Sequence, residues 1–300
     1  MPRASGVSAR LNLRKGGGVA SGSFMVKRIL TGIILVAVFV PILIFSHTFA
    51  FVAVIAALSA IGMWEMLKCL GFLKSPAVAV PALFLAGASP IFARYFPENY
   101  EYLTVGVGAF MIYLLYLNAY CVIMRDSVSY AGCMSVFGTC MYITGGFTSL
   151  VFLRDMRGGE YLFLLVFLGA WGTDTLAYFT GMLFGKHKLI PEVSPKKTVE
   201  GAIGGTLGCG LAFVLFGVIV SGIAEVEMHL GLLFIAGIIA AVVSQFGDLT
   251  ASVIKRQHDV KDYGRIFPGH GGVLDRFDSI IALASAIMII CALPFFNLIK

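Results

Sequence analysis

Charged residues are scarce in this chain: only 13% of its 300 residues are Asp, Glu, Lys or Arg, whereas 59% are hydrophobic. A soluble globule of this size needs far more polar surface, so the shortage of charge excludes a soluble domain. The mean hydropathy of +0.92 points the same way. The composition therefore predicts a polytopic integral membrane protein.

Several well-known catalytic motifs are absent as well. The chain contains no G-x-x-x-x-G-K-[ST] phosphate-binding loop, no H-E-x-x-H zinc motif and no G-x-S-x-G nucleophile elbow. Its six cysteines form no C-x-x-C pair and lie mostly in apolar runs, which is typical of small buried hydrophobic residues. These absences narrow the chemistry to what carboxylates, basic side chains and glycine-rich backbone can do.

Long apolar runs are what the chain has in abundance. A hydrocarbon core about 30 Å thick needs roughly 20 apolar residues per helix. Nine runs meet this length, at about 29–46, 48–67, 77–93, 102–123, 130–153, 160–184, 201–222, 229–247 and 277–298. Residues 1–24 contain no such run, and we expect either a disordered tail or a start codon assigned too far upstream. We divide the rest into N-terminal transmembrane helices, 25–158, and a C-terminal catalytic region, 159–300.

The distribution of positive charge predicts the orientation of these spans. Cytoplasmic segments of membrane proteins collect Lys and Arg. A cytoplasmic N-terminus followed by nine spans places 18 of the 22 Lys and Arg residues on the cytoplasmic side, and the other 4 are Arg94, Arg154, Arg157 and Lys300. The N-terminus is therefore predicted to be cytoplasmic, and a polar cavity is expected to face the cytoplasm.

A polar stripe runs along the eighth span and the residues that follow it. Ser244, Asp248, Ser252 and Lys255 fall on one helix face. A charge in hydrocarbon costs about 2.5–3.5 kcal/mol on insertion scales, so a carboxylate such as Asp248 or Glu65 raises a functional hypothesis. We interpret the stripe as the lining of a water-accessible cleft. The alternative is a hydrogen-bonded seam between helices.

The sixth span and the loop after it combine a carboxylate, glycines and lysines. Asp174 lies in the span, and the pairs Gly181-x-x-x-Gly185 and Gly201-x-x-x-Gly205 permit close helix approach. The loop holds Lys186, Lys188, Lys196 and Lys197. We interpret these lysines as an anion-binding rim at the cytoplasmic surface, and topology alone is the alternative explanation.

The stretch PGHGGVLDRFD, residues 268–278, stands directly before the last apolar run. Its glycines let backbone N–H groups approach an anion, and a helix N-terminus attracts phosphate. Asp275 and Asp278 lie one turn apart there, with Asp248 at the end of the preceding span. Such carboxylates repel one another unless a hard cation such as Mg²⁺ joins them. The stretch thus predicts a metal and phosphate site, and a helix cap with a turn is the alternative.

Two stretches of the chain resemble a known family. The run S-x-x-K-R-x4-K-D-x-G-x2-F-P-x-H-G-G-x2-D-R-x-D, from Ser252 to Asp278, is similar to the signature of phosphatidate cytidylyltransferases. The run D-T-x-A-Y-x2-G-x2-F-G-K from Asp174, and S-P-K-K-T-x-E-G from Ser194, also resemble this family. Together the matching stretches cover about residues 170–280.

The resemblance implies that CTP and phosphatidate react to give CDP-diacylglycerol and pyrophosphate in phospholipid biosynthesis. It implies a divalent ion, Mg²⁺, on carboxylates matching Asp248 and Asp275, with a monovalent cation such as K⁺ beside it. It also implies an all-α membrane fold with a cytoplasm-facing polar cavity. The expected form is a homodimer in the cell inner membrane, surrounded by lipid, with no nucleic acid partner. The residues assigned to catalysis are Asp248, Asp275, Asp278 and Lys255. Those assigned to substrate binding are Ser194, Lys196, Lys197, Ser252, Arg256, Lys261, His270, Arg276 and Asp174.

Two other classes of protein compete with this interpretation. A transporter for an anionic solute could use Asp174 and Asp248 as cation or proton carriers, but transporters place such charges near the bilayer midplane. Here the polar residues gather at one membrane face, which favours an interfacial enzyme. A purely structural polar seam is the third reading, and the lysine-rich loops and fixed glycine pattern argue against it.

Overall fold

The computed structural model of the chain describes residues 37, 39–95, 100–224, 226–294 and 296–299. The predicted tail, 1–24, lies outside the described residues, as does the first part of the predicted span 29–46. Within that span, residues 39–44 are helical.

Eight long helices follow residue 48. They are α1 (Phe49–Cys69), α2 (Pro76–Tyr95), α3 (Tyr100–Ile123), α4 (Tyr130–Asp155), α5 (Gly159–Phe184), α6 (Val199–Ile223), α7 (Leu230–Gln257) and α8 (Leu274–Ala292). Seven of these, α1 to α7, are long and apolar enough to cross a membrane. Helix α8 is not among them, because Asp275, Arg276 and Asp278 place three charged residues in its first two turns. The predicted multi-pass helical membrane protein is confirmed, whereas the count of nine spans stays a prediction.

The boundaries of the last two helices differ from the apolar runs. Helix α7 continues to Gln257, ten residues beyond the predicted span 229–247, so the whole polar stripe is helical. Helix α8 ends at Ala292 because Leu293, which precedes a proline, adopts an extended backbone with φ −75° and ψ 127°.

The loop between α5 and α6 adds a small element that the sequence did not indicate to the helical fold. It contains two short antiparallel strands, β1 (Lys188–Ile190) and β2 (Ser194–Thr198). The hairpin is fixed to α6, since Thr198 Oγ1 accepts a hydrogen bond from Gly201 N at 3.1 Å. The lysines of this loop therefore stand on an ordered hairpin that leads directly into a helix.

Glycines set the distance between α5 and α6. A Cβ atom at Gly205 would lie 2.9 Å from the Thr173 carbonyl oxygen, and one at Gly201 would lie 2.7 Å from the Ala177 carbonyl oxygen. A side chain at either position would push the helix backbones apart. The close approach predicted from the small-x-x-x-small spacing is therefore confirmed for this helix pair.

Two sets of contacts mark opposite ends of the bundle. At one end Arg94 pairs with Asp155 at 2.6 Å and donates to the carbonyl oxygens of Ser46 and Thr48 at 3.1 Å each. These residues stand at the end of α2, at the end of α4 and before α1. The N-terminus of α8, the last turn of α7 and the β1–β2 hairpin lie at the other end. This is the arrangement expected when consecutive helices run in opposite directions.

Candidate functional site

Asp275 is a firmly held carboxylate at the end of the bundle that contains the hairpin and the N-terminus of α8. Its Oδ1 accepts a hydrogen bond from Lys255 Nζ at 2.8 Å, and its Oδ2 accepts from Tyr263 N at 2.8 Å and Gly272 N at 2.9 Å. The side chains of Lys255 and Asp275 are 12% and 3% exposed. One donor from α7 and two from the loop between α7 and α8 thus fix this carboxylate in place.

The glycine-rich loop wraps around that carboxylate. Gly271 has φ +86°, and a Cβ atom there would lie 2.8 Å from Asp275 Oδ2. Gly272 N points at the same oxygen. The amides of Tyr263 and Gly272 donate to the side chain of Asp275, and the metal and phosphate site that the sequence predicted here stays a prediction. The structure also contains the turn and the helix start that the sequence offered as the alternative to an anion site.

Glu65 of α1 holds the beginning of α8. Its Oε1 accepts from Val273 N at 3.0 Å and its Oε2 accepts from Leu274 N at 2.9 Å. The residue is fully buried, and a Cβ atom on Gly264 or Gly272 would collide with its carboxylate. Free N–H groups at a helix N-terminus stabilise an anion, so Glu65 serves as the cap of α8 from another helix.

Asp248 of α7 pairs with the hairpin. Lys197 Nζ lies 2.5 Å from Asp248 Oδ2, and the two side chains are 24% and 29% exposed. This ion pair joins the lysine-rich loop to the polar stripe. Ser244, at the other end of the stripe, is fully buried, so the predicted cleft lining applies to Asp248 and does not extend to Ser244.

A large cavity opens beside these carboxylates. It has a volume of about 650 Å³, and we call it the carboxylate cavity. Its polar wall consists of Asp174, Asp248, Asp275, Arg276 and Asp278. Its apolar wall includes Phe39, Val40, Ile42, Leu43, Val54, Leu58 and Trp171. Val54 and Leu58 precede Glu65 on α1 by two to three turns, so the apolar wall extends from the polar end into the depth of the bundle.

A second cavity lies between α5, α6 and the hairpin. It has a volume of about 330 Å³, and we call it the lysine cavity. Lys188, Lys196 and Lys197 line it together with Gln245 and Asp174. Asp174 also lines the carboxylate cavity, so the two cavities meet at this residue.

Several predicted site residues stand outside both cavities. Ser194, Ser252, Arg256, Lys261 and His270 line neither of them. Arg256 and Lys261 are exposed to solvent. His270 Nδ1 is buried with no hydrogen-bond partner among the described residues. The roles predicted for these five residues stay predictions.

Sequence reasoning gave no site role to Gln245, Trp171 or Glu65. Gln245 could have been found as an uncharged polar residue in an apolar span, three positions before Asp248. Trp171 carries no comparable signal, because an aromatic residue in a membrane helix is common. Glu65 was marked as a carboxylate within a span, but its partners are 208 and 209 residues away in the chain, so only the tertiary structure reveals them.

The donor set suits a hard cation in type, but two of its four aspartates are paired with lysines. Carboxylate oxygens are the ligands that Mg²⁺ prefers, and four aspartates line the carboxylate cavity. Asp248 and Asp275 each face a lysine instead. Within the described part of the chain, no three His, Cys, Asp or Glu side chains converge closely enough to hold a metal ion.

Comparison with known proteins gives the class to which this site belongs. Residues 26–294 match the model of the cytidylyltransferase family, and the chain belongs to that family. The predicted resemblance is therefore confirmed, and the chain is an enzyme of the nucleotidyltransferase class.

Individual relatives carry a more specific name. Three proteins named phosphatidate cytidylyltransferase are similar to this chain. The one from Staphylococcus haemolyticus is 34% identical over 256 residues, which cover 84% of this chain and 93% of the relative. The one from Bacillus subtilis is 33% identical over 275 residues, 90% of this chain and 98% of the relative. The one from Staphylococcus saprophyticus is 36% identical over 261 residues, 84% and 93% of the two chains.

Proposed function

We propose that this chain transfers the cytidylyl group of CTP to phosphatidate and so makes CDP-diacylglycerol for phospholipid biosynthesis. The observation that carries the proposal is the meeting of the carboxylate cavity and the lysine cavity at Asp174. One cavity has the character of a lipid site and the other that of a nucleotide site. The names of the relatives, all phosphatidate cytidylyltransferase, support the same reaction.

The carboxylate cavity has the polarity that a phospholipid needs. Its apolar wall, with Phe39, Leu43 and Trp171, suits acyl chains, because burying apolar surface is favourable. Arg276 stands at its polar wall and can bind a phosphate through its planar guanidinium group. Phosphatidate carries both parts in one molecule, with its phosphate at the membrane surface.

The lysine cavity has the charge that a nucleoside triphosphate needs. Lys188, Lys196 and Lys197 supply three cationic side chains from the hairpin. Lys197 also contacts Asp248 and therefore reaches the boundary between the two cavities. A nucleotide whose phosphates follow these lysines would bring its α-phosphate towards Asp174 and Asp248.

The proposed reaction is an in-line displacement at phosphorus. A phosphate oxygen of phosphatidate forms a bond to the α-phosphorus of CTP, and the bond to the bridging oxygen of pyrophosphate breaks. Phosphatidate is ionised near neutral pH, so no general base is required. Catalysis is then chiefly positioning and charge stabilisation, to which Lys197, Lys255 and Arg276 contribute by offsetting phosphate charge.

The proposal includes a magnesium ion. Asp248 and Asp275 would hold it, with Asp278 beside them, once the two lysines turn towards substrate phosphates. Bound there, Mg²⁺ would supply positive charge that offsets the negative charge of the reacting phosphates and of the leaving pyrophosphate. A monovalent cation such as K⁺ beside it remains part of the same proposal.

The setting of the enzyme is also proposed. Bacterial relatives and the charge distribution support a multi-pass protein of the inner membrane with a cytoplasmic N-terminus, so that the lysine cavity meets cytosolic CTP. A homodimer is expected from the family resemblance.

The test uses the purified full chain in mixed micelles of detergent and phosphatidate, with labelled CTP and Mg²⁺. We expect a lipid-soluble cytidine product that requires phosphatidate, disappears with EDTA and returns with excess Mg²⁺. If EDTA does not reduce product formation, the proposed metal requirement is wrong and the proposed reaction still holds. A folded sample that makes no product would contradict the reaction, and solute flux in vesicles would then test the transporter alternative.

A further inference from the structure

Gln245 is a wall residue of the lysine cavity whose hydrogen-bonding direction is fixed. It lies on α7 and faces α6. Its Nε2 donates to the Ala202 carbonyl oxygen at 3.3 Å and to Thr206 Oγ1 at 3.0 Å. The side chain thus has one end attached to the neighbouring helix.

Both contacts require a donor from Gln245. A carbonyl oxygen only accepts, and Thr206 Oγ1 uses its own proton in a 2.8 Å hydrogen bond to the same Ala202 carbonyl. Turning the amide over would place Oε1 against two acceptors. The amide orientation therefore follows from chemistry, and Nε2 must face α6.

The other end of the amide is consequently a positioned acceptor. Oε1 has no hydrogen-bond partner among the described residues, and it is not one of the fully buried polar atoms that lack a partner. Gln245 lines the lysine cavity. Because both protons of Nε2 are used in the contacts with α6, the hydrogen-bonding atom that Gln245 can still offer to a ligand in this cavity is Oε1.

We propose that Oε1 of Gln245 recognises the exocyclic amine of cytosine, an inference that rests on the proposed use of CTP. Cytosine presents an N4 amine, a donor, where uracil presents an O4 carbonyl, an acceptor. An oriented acceptor accepts a hydrogen bond from the first base and repels the second. A site built to bind a donor rejects the analogue that lacks it, since its polar atom is left unpaired.

The surroundings of Gln245 suit the rest of the nucleotide. Tyr178, 66% exposed, lines the same cavity and can pack against a base. Lys188 and Lys196 provide cationic contacts for phosphates. Asp248 follows Gln245 by three residues, so the base contact and the proposed reaction centre stand one helical turn apart on α7.

The test compares CTP with UTP as substrates of the full chain. The measured quantity is the ratio of kcat/KM for CTP to kcat/KM for UTP, in wild type and in Gln245→Met, which keeps the length of the side chain and removes the acceptor. We expect the ratio to fall at least about tenfold in the variant.

A matched control separates base recognition from helix packing. A Cβ atom at Gly210 of α6 would lie 2.9 Å from the Phe234 ring of α7, so Gly210→Ala disturbs the same helix pair away from the lysine cavity. We expect this control to leave the CTP-to-UTP ratio unchanged even if turnover falls.

Each outcome bears on the proposal. If Gln245→Met lowers turnover with both nucleotides equally, Gln245 only packs helices and the proposal is wrong. A wild type that uses CTP and UTP equally well also overturns it, while the proposed transferase activity survives. No CTP turnover at all contradicts the proposed function itself. If Gln245→Met does not fold, Thr206→Val releases one anchor of the amide, and an unchanged ratio there overturns the proposal.

Discussion

At the scale of single residues, the aspartates of the site differ in how firmly they are held. Asp275 has three donors and a side chain that is 3% exposed. Asp248 has one lysine partner and is 29% exposed. Removing Asp275 would leave Lys255 as an uncompensated buried charge, which is strongly destabilising. A substitution at Asp275 therefore alters folding and chemistry together, whereas one at Asp248 disturbs folding less and reports mainly on chemistry.

Asp248→Asn is the cleaner test of the acidic site. We expect activity to fall about a hundredfold or more, because a neutral amide holds a divalent cation poorly. The melting temperature in detergent should fall less than it does for a substitution at Asp275, because the Asp248 and Lys197 side chains are 29% and 24% exposed, whereas Asp275 is 3% exposed and has three donors. Initial rates and thermal unfolding of the same preparation measure both effects.

The control is Asp126→Asn, which removes an exposed carboxylate beside Arg125, where the two side chains are 90% and 81% exposed. This variant should match wild type in both measurements. An Asp248→Asn protein with normal turnover would remove Asp248 from the proposed metal site.

At the scale of helices, the start of α8 depends on a residue from α1. Glu65 accepts hydrogen bonds from the first N–H groups of α8, and α8 carries Asp275, Arg276 and Asp278 at the carboxylate cavity. The N-terminal helices therefore do more than anchor the chain, because one of them sets the position of the proposed catalytic helix.

Glu65→Gln tests this coupling. Glutamine keeps one acceptor but turns an NH₂ group towards a backbone N–H, so α8 should shift at its N-terminus. Small misplacements of reacting groups are costly, and we expect kcat to fall about tenfold or more in the folded protein. Asp155→Asn, which removes a partner of Arg94 at the opposite end of the bundle, is the matched control. Equal kcat values in the two variants would limit Glu65 to a role in folding.

Glycines on α6 make a second prediction about helices. Gly205→Ala would place a Cβ atom 2.9 Å from the Thr173 carbonyl oxygen, whereas nothing lies within 4 Å of a Cβ atom at Gly222 on the same helix. Gly205→Ala should therefore lower the melting temperature in detergent. Gly222→Ala should leave it unchanged or raise it, since alanine is favoured over glycine within a helix by about 1 kcal/mol. Similar melting temperatures for the two variants would contradict the close packing of α5 against α6.

At the scale of the whole molecule, the two ends of the helix bundle differ. Contacts of Arg94 join the helices at one end, and the polar walls of the two cavities lie at the other. The first end joins α2, α4 and the residues before α1. The second holds the hairpin, the α8 N-terminus and the last turn of α7. Such polarity is what an enzyme needs when one substrate is a membrane lipid and the other is dissolved in the cytosol.

Cysteine labelling from one side of the membrane tests this orientation. Arg125→Cys and Arg157→Cys place single thiols in exposed loops at opposite ends of the bundle. In intact cells a membrane-impermeant thiol reagent should label Arg157→Cys only, and after lysis it should label both. Wild type, whose six cysteines are buried or half-buried, measures the background. The reverse labelling pattern would invert the predicted topology.

The amino-acid sequence alone was enough to predict a helical membrane protein and the class of reaction that it catalyses. Hydrophobic runs long enough to cross a bilayer leave little alternative to helices, because each backbone polar group must be satisfied within the membrane. The spacing of Asp248, Asp275 and the lysine-rich loop indicated carboxylate and phosphate chemistry, and the family comparison confirmed the class of enzyme. These features depend on residues that are close together in the chain, so they can be predicted from the sequence.

Which side chains contact one another depends on how the helices pack, and this is visible in the tertiary structure alone. The contact of Glu65 with Val273, the pairing of Lys197 with Asp248 and the fixed amide of Gln245 all join residues that are distant in the chain. The hairpin between α5 and α6 was missed for a related reason: strands this short are specified by pairing with each other more than by their own sequence. Periodicity gives the face of a helix, but the neighbour on that face depends on how the helices pack.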